Sequence, residues 1–332
     1  MRAMVLDQSG DVSLNPLHLR DVPVPEPGPG DVLVKVRVCG VCRTDLHVVE
    51  GELPDTRLPL IPGHQVVGTV ARLGAGVSEL REGDRVGIAW LQKTCKTCEF
   101  CANGRENLCL KARFTGYQVD GGYADYAVVP AEFAYPIPSV FTDDAAAPLL
   151  CAGIIGYRAL RVSGIKPGQR LGLYGFGASA HIAIQIARHW GCQVYVSSLK
   201  PEHQALARTL GAVWVGGVGD KPPDPLHGAI IFAPAGELVP PALRALERGG
   251  TLALAGIHMS PIPSLDYDRE VFGERVLRSV TANTRQDGLD LLREAAAIPI
   301  NPHTVRYPLQ QANQALQDLK AGSFQGAAVL SV

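Results

Sequence analysis

A strand that ends in a glycine-rich turn and continues into a helix constrains the fold of this 332-residue chain more than any other feature. The apolar run Leu171–Tyr174 predicts a buried strand, and residues 178–190 predict the helix. The turn is formed by Gly175, Phe176, Gly177, Ala178, Ser179 and Ala180. Such a G-x-G-x-x-G/A turn lets the backbone approach a pyrophosphate at a helix N-terminus, and a turn without a ligand is the alternative.

The residues around this turn predict a parallel sheet. A helical stretch at 143–162 precedes a regular alternation of strands and helices. The predicted strands are 171–174, 193–197, 228–233 and 251–255, and the predicted helices between them are 178–190, 202–210 and 239–247. This order is typical of an α/β domain of the Rossmann type, a doubly wound parallel sheet with helices on both faces.

The first half of the chain predicts a β-rich domain instead. Short strands are expected at 31–38, 66–73, 84–89 and 124–129, with Gly- and Pro-containing turns such as Pro62-Gly63 between them. After the parallel sheet, helices near 286–297 and 310–321 and a strand at 327–332 complete the chain.

Composition excludes several classes of partner. The net charge is −1, so nothing attracts nucleic acid or an anionic membrane. No apolar run is expected to reach the roughly 20 residues that span a bilayer. The first residues lack the apolar core of a signal peptide, which predicts a cytoplasmic protein.

Four cysteines crowd into one short loop, with the spacing Cys95-x2-Cys98-x2-Cys101-x7-Cys109. Four thiolates can close a tetrahedron around zinc and leave no position for a substrate, so this zinc would be structural. Iron–sulfur clusters also use C-x2-C spacing, but their usual run includes a further step and a Cys-Pro. Disulfides are disfavoured in the cytosol.

Three further candidate ligands are dispersed, namely Cys42, His64 and Cys151. Two cysteines and a histidine with one free position form a catalytic pattern for zinc. Taken singly, each residue is more often a buried thiol or a satisfied histidine. Cys39-x2-Cys42 is also compatible with a redox pair, although no thioredoxin-like context surrounds it.

The chain resembles the zinc-containing medium-chain alcohol dehydrogenase family, in particular its cinnamyl-alcohol-dehydrogenase-like branch. The matching features are Cys39-Gly-Val-Cys-Arg-Thr-Asp45, Gly63-His64, the four-cysteine loop and Cys151-Ala-Gly153. The resemblance implies a GroES-like catalytic domain at 1–151, a Rossmann domain at 152–284 and a C-terminal segment, 285–332, that completes the first. It also implies hydride transfer between a primary alcohol or aldehyde and NAD(P)(H), with two zinc ions per chain.

Carried over to this chain, the resemblance assigns Cys42, His64 and Cys151 to the catalytic zinc. Thr44 would take the alcohol proton, and His47 would pass it on through the cofactor ribose. Asp45 would hold His64, because such partners fix the tautomer of a ligand histidine. Gln65 departs from the family, which usually has glutamate after Gly-His, and this change removes a negative charge near the metal.

Cofactor choice depends on the end of the second strand of the Rossmann domain. NAD enzymes usually place an acid there, whereas this chain has Ser198 and Lys200, so NADP(H) is favoured and NAD(H) stays open. Two later strand ends are expected to flank the nicotinamide, and two arginines are candidates for the pyrophosphate. These residues are Ala233, Pro234, Gly256, Ile257, His258, Arg43 and Arg285.

The resemblance implies a small alcohol or aldehyde as the substrate. Trp90, Ile154 and Ile257 are candidates for the wall of an apolar pocket, with ordinary core packing as the alternative. The family resemblance also implies a homodimer or homotetramer, paired through an edge strand of the Rossmann sheet.

The competing interpretation of the function is a zinc-independent quinone or enoyl reductase, or a non-catalytic NADP-binding relative. The presence of all three dispersed ligands favours the zinc enzyme.

Overall fold

The strand predicted at 31–38 continues to Val41 in the structure, a computed structural model that describes every residue except 299, 301 and 325. Among the described residues the strands are β1 (Arg2–Leu6), β2 (Leu17–Asp21), β3 (Asp31–Val41), β4 (Gln65–Leu73), β5 (Arg85–Ile88), β6 (Leu91–Lys93), β7 (Arg113–Phe114), β8 (Tyr126–Pro130), β9 (Ala134–Pro136), β10 (Arg170–Tyr174), β11 (Gln193–Ser197), β12 (Trp214–Gly216), β13 (Leu226–Ile231), β14 (Leu246–Leu254), β15 (Val276–Ser279), β16 (Thr304–Pro308) and β17 (Ala327–Ser331).

The helices include two that the sequence pattern did not predict, one directly after β3 and a single short turn within the four-cysteine loop. The α-helices are α1 (Arg43–Glu50), α2 (Glu99–Ala102), α3 (Asp143–Pro148), α4 (Ile154–Val162), α5 (Ala178–His189), α6 (Pro201–Thr209), α7 (Val239–Ala245), α8 (Arg285–Ala297) and α9 (Ala312–Ala321). A π-helical turn, Leu149–Gly153, joins α3 to α4. The unpredicted helix α1 has only eight residues, too few for a clear helical period.

The chain divides into two compact units. The first contains Met1–Cys151, Ala282–Ala296 and Asn301–Val332, and the second contains Ala152–Thr281 and Ala297–Ile300. Relative to the predicted boundaries, residues 282–284 fall in the first unit and 297–300 in the second.

The first unit is built on a mixed sheet whose described strands lie in the order β16-β17-β3-β4-β5-β9, with β8 also pairing with β3. The C-terminal strand β17 pairs antiparallel with β3, so that Leu330 lies opposite Cys39. On its other edge, β3 pairs antiparallel with β4 over most of its length. Because β3 leads directly into α1 and β4 begins just after His64, this pairing brings two candidate ligands to the same end of the sheet.

The second unit contains a fully parallel sheet with the described strands in the order β12-β11-β10-β13-β14-β15. In chain order this is the 3-2-1-4-5-6 arrangement of a Rossmann fold. Tyr174 lies opposite both Ser197 and Ile231, so the strands end together at one edge. The predicted Rossmann fold is therefore confirmed.

The stretch Asp143–Val162 corrects one expectation. Among the described residues it is the one helical segment long and apolar enough to cross a membrane, although no such run was expected from the sequence. Its most apolar window is 72% buried inside the protein, as in the core helix of a soluble protein. Its length and composition therefore reflect packing in the core.

Candidate active site

Cys42 caps the N-terminus of α1. Its sulfur accepts a hydrogen bond from the amide of Thr44 (3.3 Å), and its own amide donates to Asp45 Oδ2 (2.9 Å). This reciprocal cap satisfies two amide groups at the helix N-terminus that would otherwise lack acceptors. The position suits a thiolate, because the N-terminus of a helix favours negative charge.

His64 is fully buried next to a glycine that the fold requires. Gly63 has φ +96°, and a Cβ atom there would lie 2.3 Å from the ring of Tyr123. The ring of His64 donates from Nδ1 to Asp45 Oδ1 at 2.8 Å, and both side chains are only 1% exposed. Asp45 therefore connects the helix cap to the histidine and leaves His64 Nε2 free to bind a metal.

Cys151 lies in the π-helical turn between α3 and α4. Pro148, just before the turn, has no amide hydrogen to donate to the preceding turn, and π turns are frequent at functional sites. The Cys151 sulfur lies 3.3 Å from His64 Nε2 and 4.0 Å from the Cys42 sulfur, and the Cys42 sulfur also lies 3.3 Å from Nε2. Tetrahedral zinc requires S···N and S···S separations of about 3.6 and 3.8 Å, so the three atoms fit the ion.

The three side chains influence one another's ionisation even without an ion. A hydrogen bond from Cys151 holds the pKa of the Cys42 thiol well below its ordinary value, and the same hydrogen bond raises the pKa of Cys151. Burial lowers the pKa of His64, but Asp45 and Cys42 raise it more, so the net shift is upward. The cluster thus concentrates negative charge around His64, as a site for a divalent cation should.

The four-cysteine loop forms a second group of ligand atoms. The sulfurs of Cys95, Cys98, Cys101 and Cys109 all lie within 4.8 Å of one another, and the Cys98–Cys101 separation is 3.5 Å. Amide hydrogen bonds from Thr97 and Cys98 lower the pKa of Cys95 to about 5. Amides that point at a sulfur stabilise a thiolate, so the loop also fits tetrahedral zinc.

Trp90 lies beside the dispersed ligands. Its ring meets His64 edge-on, with 5.0 Å between centroids, and it stacks with the rings of Phe114 (5.1 Å) and Tyr117 (5.6 Å). Of the other two pocket candidates, Ile154 is fully buried in α4 and Ile257 is 56% exposed. The structure thus shows Trp90 in contact with the metal-ligand cluster, and its two stacking partners were not predicted from the sequence.

The candidate cofactor residues of the second unit lie at the carboxyl edge of its sheet. Gly175 has φ +84°, and a Cβ there would lie 2.9 Å from the amide of Ala233, so only glycine fits. A Cβ at Gly177 would meet nothing within 4 Å. Within the described part of the chain no side chain caps the N-terminus of α5. The open space and the uncapped amides fit a pyrophosphate.

The remaining candidates of this unit follow neighbouring strands. Ser198 is buried after β11, and its amide donates to Gly216 O at 3.0 Å, whereas Lys200 is exposed at the start of α6. Asp220, which sequence reasoning passed over, accepts a hydrogen bond from the Gly217 amide at 2.7 Å. At the edge where β13 and β14 end lie Ala233, Pro234, Gly256, Ile257 and His258.

The two candidate arginines differ in their surroundings. Arg43 is exposed in the first turn of α1. The guanidinium of Arg285 lies 2.6 Å from Glu132 and 3.4 Å from Glu106, and its backbone amide donates to Glu106 at 2.9 Å. Because Glu106 lies within the four-cysteine loop, these contacts connect Arg285 to that loop. A role for Arg285 at the pyrophosphate finds no support in these contacts.

The relay candidates lie on α1. Thr44 and His47 are three residues apart and so share a face of the helix. His47 Nδ1 is hydrogen-bonded to the carboxylate of Glu52, which sequence reasoning missed. Only a predicted helix ending at Gly51 would have indicated this proximity.

Comparisons with known proteins agree with this geometry. The model of the alcohol dehydrogenase GroES-like domain matches residues 28–139, and that of the zinc-binding dehydrogenase matches 180–297. "Probable alcohol dehydrogenase AdhA" of Mycobacterium tuberculosis is 50% identical, over 100% of this chain and 97% of its own length. An alcohol dehydrogenase of Geobacillus stearothermophilus is 36% identical over 100% of both chains. The structure of a cinnamyl alcohol dehydrogenase from Sorghum bicolor superposes with a TM-score of 0.89 and 29% identity, over 99% and 97% of the two chains.

The fold and the two groups of ligand atoms define a zinc-binding dehydrogenase. With relatives of this similarity, the chain belongs to the zinc-containing medium-chain alcohol dehydrogenase family. It is a zinc-dependent alcohol oxidoreductase that uses a nicotinamide cofactor, with a GroES-like domain and a Rossmann domain.

Proposed function

We propose that the chain interconverts primary alcohols and aldehydes with NADP(H), holding one zinc on Cys42, His64 and Cys151 and a second on the four-cysteine loop. The convergence of these three ligand atoms carries the proposal, because three protein ligands leave a coordination position for the substrate. The chain works in the cytoplasm, where thiolates stay reduced.

The protein side chains then have separate tasks. Bound zinc supplies a Lewis acid that lowers the pKa of the alcohol hydroxyl. Thr44 accepts the alcohol proton while giving up its own, and His47, on the same face of α1, receives a proton for release to water. Asp45 keeps His64 in the tautomer that directs Nε2 at the metal.

The cofactor is held by the second unit, with its pyrophosphate at the N-terminus of α5 between Gly175 and Ala180. Trp90 forms one wall of an apolar substrate pocket, and the rings of Phe114 and Tyr117 fix its plane. An apolar wall suits medium-length aliphatic or aromatic aldehydes.

Metal content and turnover together test this function. We expect elemental analysis to find two zinc ions per chain, and NADPH oxidation to depend on benzaldehyde, cinnamaldehyde or hexanal. One zinc and no turnover would contradict the catalytic assignment and favour a zinc-independent or non-catalytic relative.

Ser198→Asp should exchange the cofactor preference. A carboxylate at the end of β11 repels a 2′-phosphate, because two like charges placed next to each other cost several kcal/mol. We expect kcat/KM for NADPH to fall by roughly a hundredfold, with little loss for NADH. Gln193→Glu adds the same charge at the amino end of β11 and should leave the ratio unchanged. An unaltered NADPH/NADH ratio in Ser198→Asp would contradict the NADP(H) assignment.

A second copy of this chain is expected to pair along β15. This edge strand exposes all four of its residues, and the side chains of Val276 and Leu277 are 41% and 38% exposed. An apolar edge strand is a template for pairing with another sheet. Leu277→Lys should convert the assembly to monomers in light scattering, whereas Val213→Lys, beside the opposite edge strand, should not. A Leu277→Lys protein of unchanged mass would exclude this interface.

A further inference from the structure

Helix α1 ends in a turn that brings the next residue back against its last turn. Gly51 has φ +76° and donates its amide to Val48 O at 3.2 Å. The amide of Glu52 donates to His47 O at 2.9 Å. These two hydrogen bonds satisfy carbonyls at the helix C-terminus, and the left-handed residue between them favours glycine. The turn therefore fixes the backbone of Glu52 beside His47.

The side chains of the same two residues are also joined. His47 Nδ1 is hydrogen-bonded to Glu52 Oε2, and the His47 side chain is only 19% exposed. An ionised carboxylate only accepts hydrogen bonds, so the proton of the neutral imidazole lies on Nδ1. Nε2 is then left with its lone pair, which is the state that can accept a proton.

We propose that Glu52 is a positioning residue that prepares His47 for proton relay. This inference rests on the proposed role of His47. Oxidation of one alcohol releases one proton, which His47 accepts on Nε2 while Nδ1–H remains bonded to Glu52. The carboxylate balances the charge of the imidazolium until Nε2 returns the proton to water. Aldehyde reduction uses the same steps in reverse.

The tautomer of His47 provides a readout that does not depend on turnover. In protein labelled with ¹⁵N-histidine, the His47→Gln variant assigns the His47 signals among the nine histidines. We expect the neutral ring of the unaltered protein to carry its proton on Nδ1. Glu52→Gln should lose this preference, because an amide side chain both donates and accepts hydrogen bonds.

The second readout is the rate of hydride transfer, which is measured from the change in nicotinamide absorbance during a single turnover. Glu52→Gln should slow the transfer by roughly tenfold to a hundredfold, the usual effect of removing a residue that orients a histidine, while KM for the alcohol stays constant. Glu52→Asp keeps the carboxylate and should recover part of the rate. Asp55→Asn removes the same charge from the same loop without a described contact to His47 and serves as the matched control.

A wild-type proton on Nε2 would overturn the proposal, as would a Glu52→Gln variant with unchanged tautomer and rate alongside a slow His47→Gln. Unimpaired hydride transfer in His47→Gln would instead reject the relay itself, and with it the proposed role of His47.

Discussion

Cys42→Ser is expected to empty the dispersed metal site and to lower kcat by about 10³-fold or more. A Lewis acid stabilises the transition state by several kcal/mol, and every ~1.4 kcal/mol is a factor of ten in rate. The serine hydroxyl does not replace a thiolate whose pKa is already depressed by its neighbours. Elemental analysis should find one zinc per chain, held by the four-cysteine loop, and the unfolding temperature should change little.

Cys39→Ala is the matched control for this variant. Cys39 lies three residues away on β3, is fully buried, and donates its thiol to Gly40 O at 3.6 Å, outside the cluster of ligand atoms. The Cys39→Ala protein should keep both zinc ions and nearly full turnover. If Cys42→Ser retained two zinc ions and normal turnover, the catalytic assignment of the dispersed cluster would be wrong.

Cys98→Ser is expected to act on stability instead. Structural zinc contributes about 10–16 kcal/mol to the folding of small zinc domains, which is comparable to the total stability of a protein. Loss of one of four thiolates should therefore release one zinc and lower the unfolding temperature of the first unit by about 20 °C or more, because each kcal/mol lost shifts the unfolding temperature of a unit of this size by about 2–4 °C. Calorimetry with elemental analysis measures both effects.

The effect should extend beyond the loop itself, because Glu106 in the loop holds Arg285 of α8. Limited proteolysis of Cys98→Ser should cut both within 94–113 and near residue 285. Cys192→Ala removes a buried thiol of the second unit and should leave zinc content at two. A Cys98→Ser protein with two zinc ions and an unchanged unfolding temperature would rule out the structural role.

Periodicity and turn chemistry predicted most of the fold. The strand at 193–197 was predicted with its observed bounds, and the alternation of strands and helices correctly indicated a parallel sheet. These features depend on residues close in sequence, where side-chain pattern and backbone conformation are linked directly. Short edge strands such as β7 and β15 leave too few residues for a pattern, and they were missed.

The site was harder to predict because its contacts join distant residues. Spacing alone identified the four-cysteine loop, but it did not group Cys42 with Cys151, which is 109 positions away; the family resemblance did. Ion pairs between residues far apart in the chain could not be predicted from the sequence pattern either. Arg285 was a candidate for the pyrophosphate, and its guanidinium contacts Glu106 and Glu132, more than 150 residues earlier in the chain.

The pairing of β17 with β3 has a consequence for synthesis. The second unit is almost entirely contiguous and can fold as soon as residue 281 has left the ribosome. The central sheet of the first unit must wait for β17, some 290 residues after β3 has emerged. Until then the end of β3, Val38–Val41, lacks its partner on one edge, and an unpaired strand edge is a hazard for aggregation. Completion of the first unit is thus a late event in the synthesis of the chain, and we expect the second unit to fold before it.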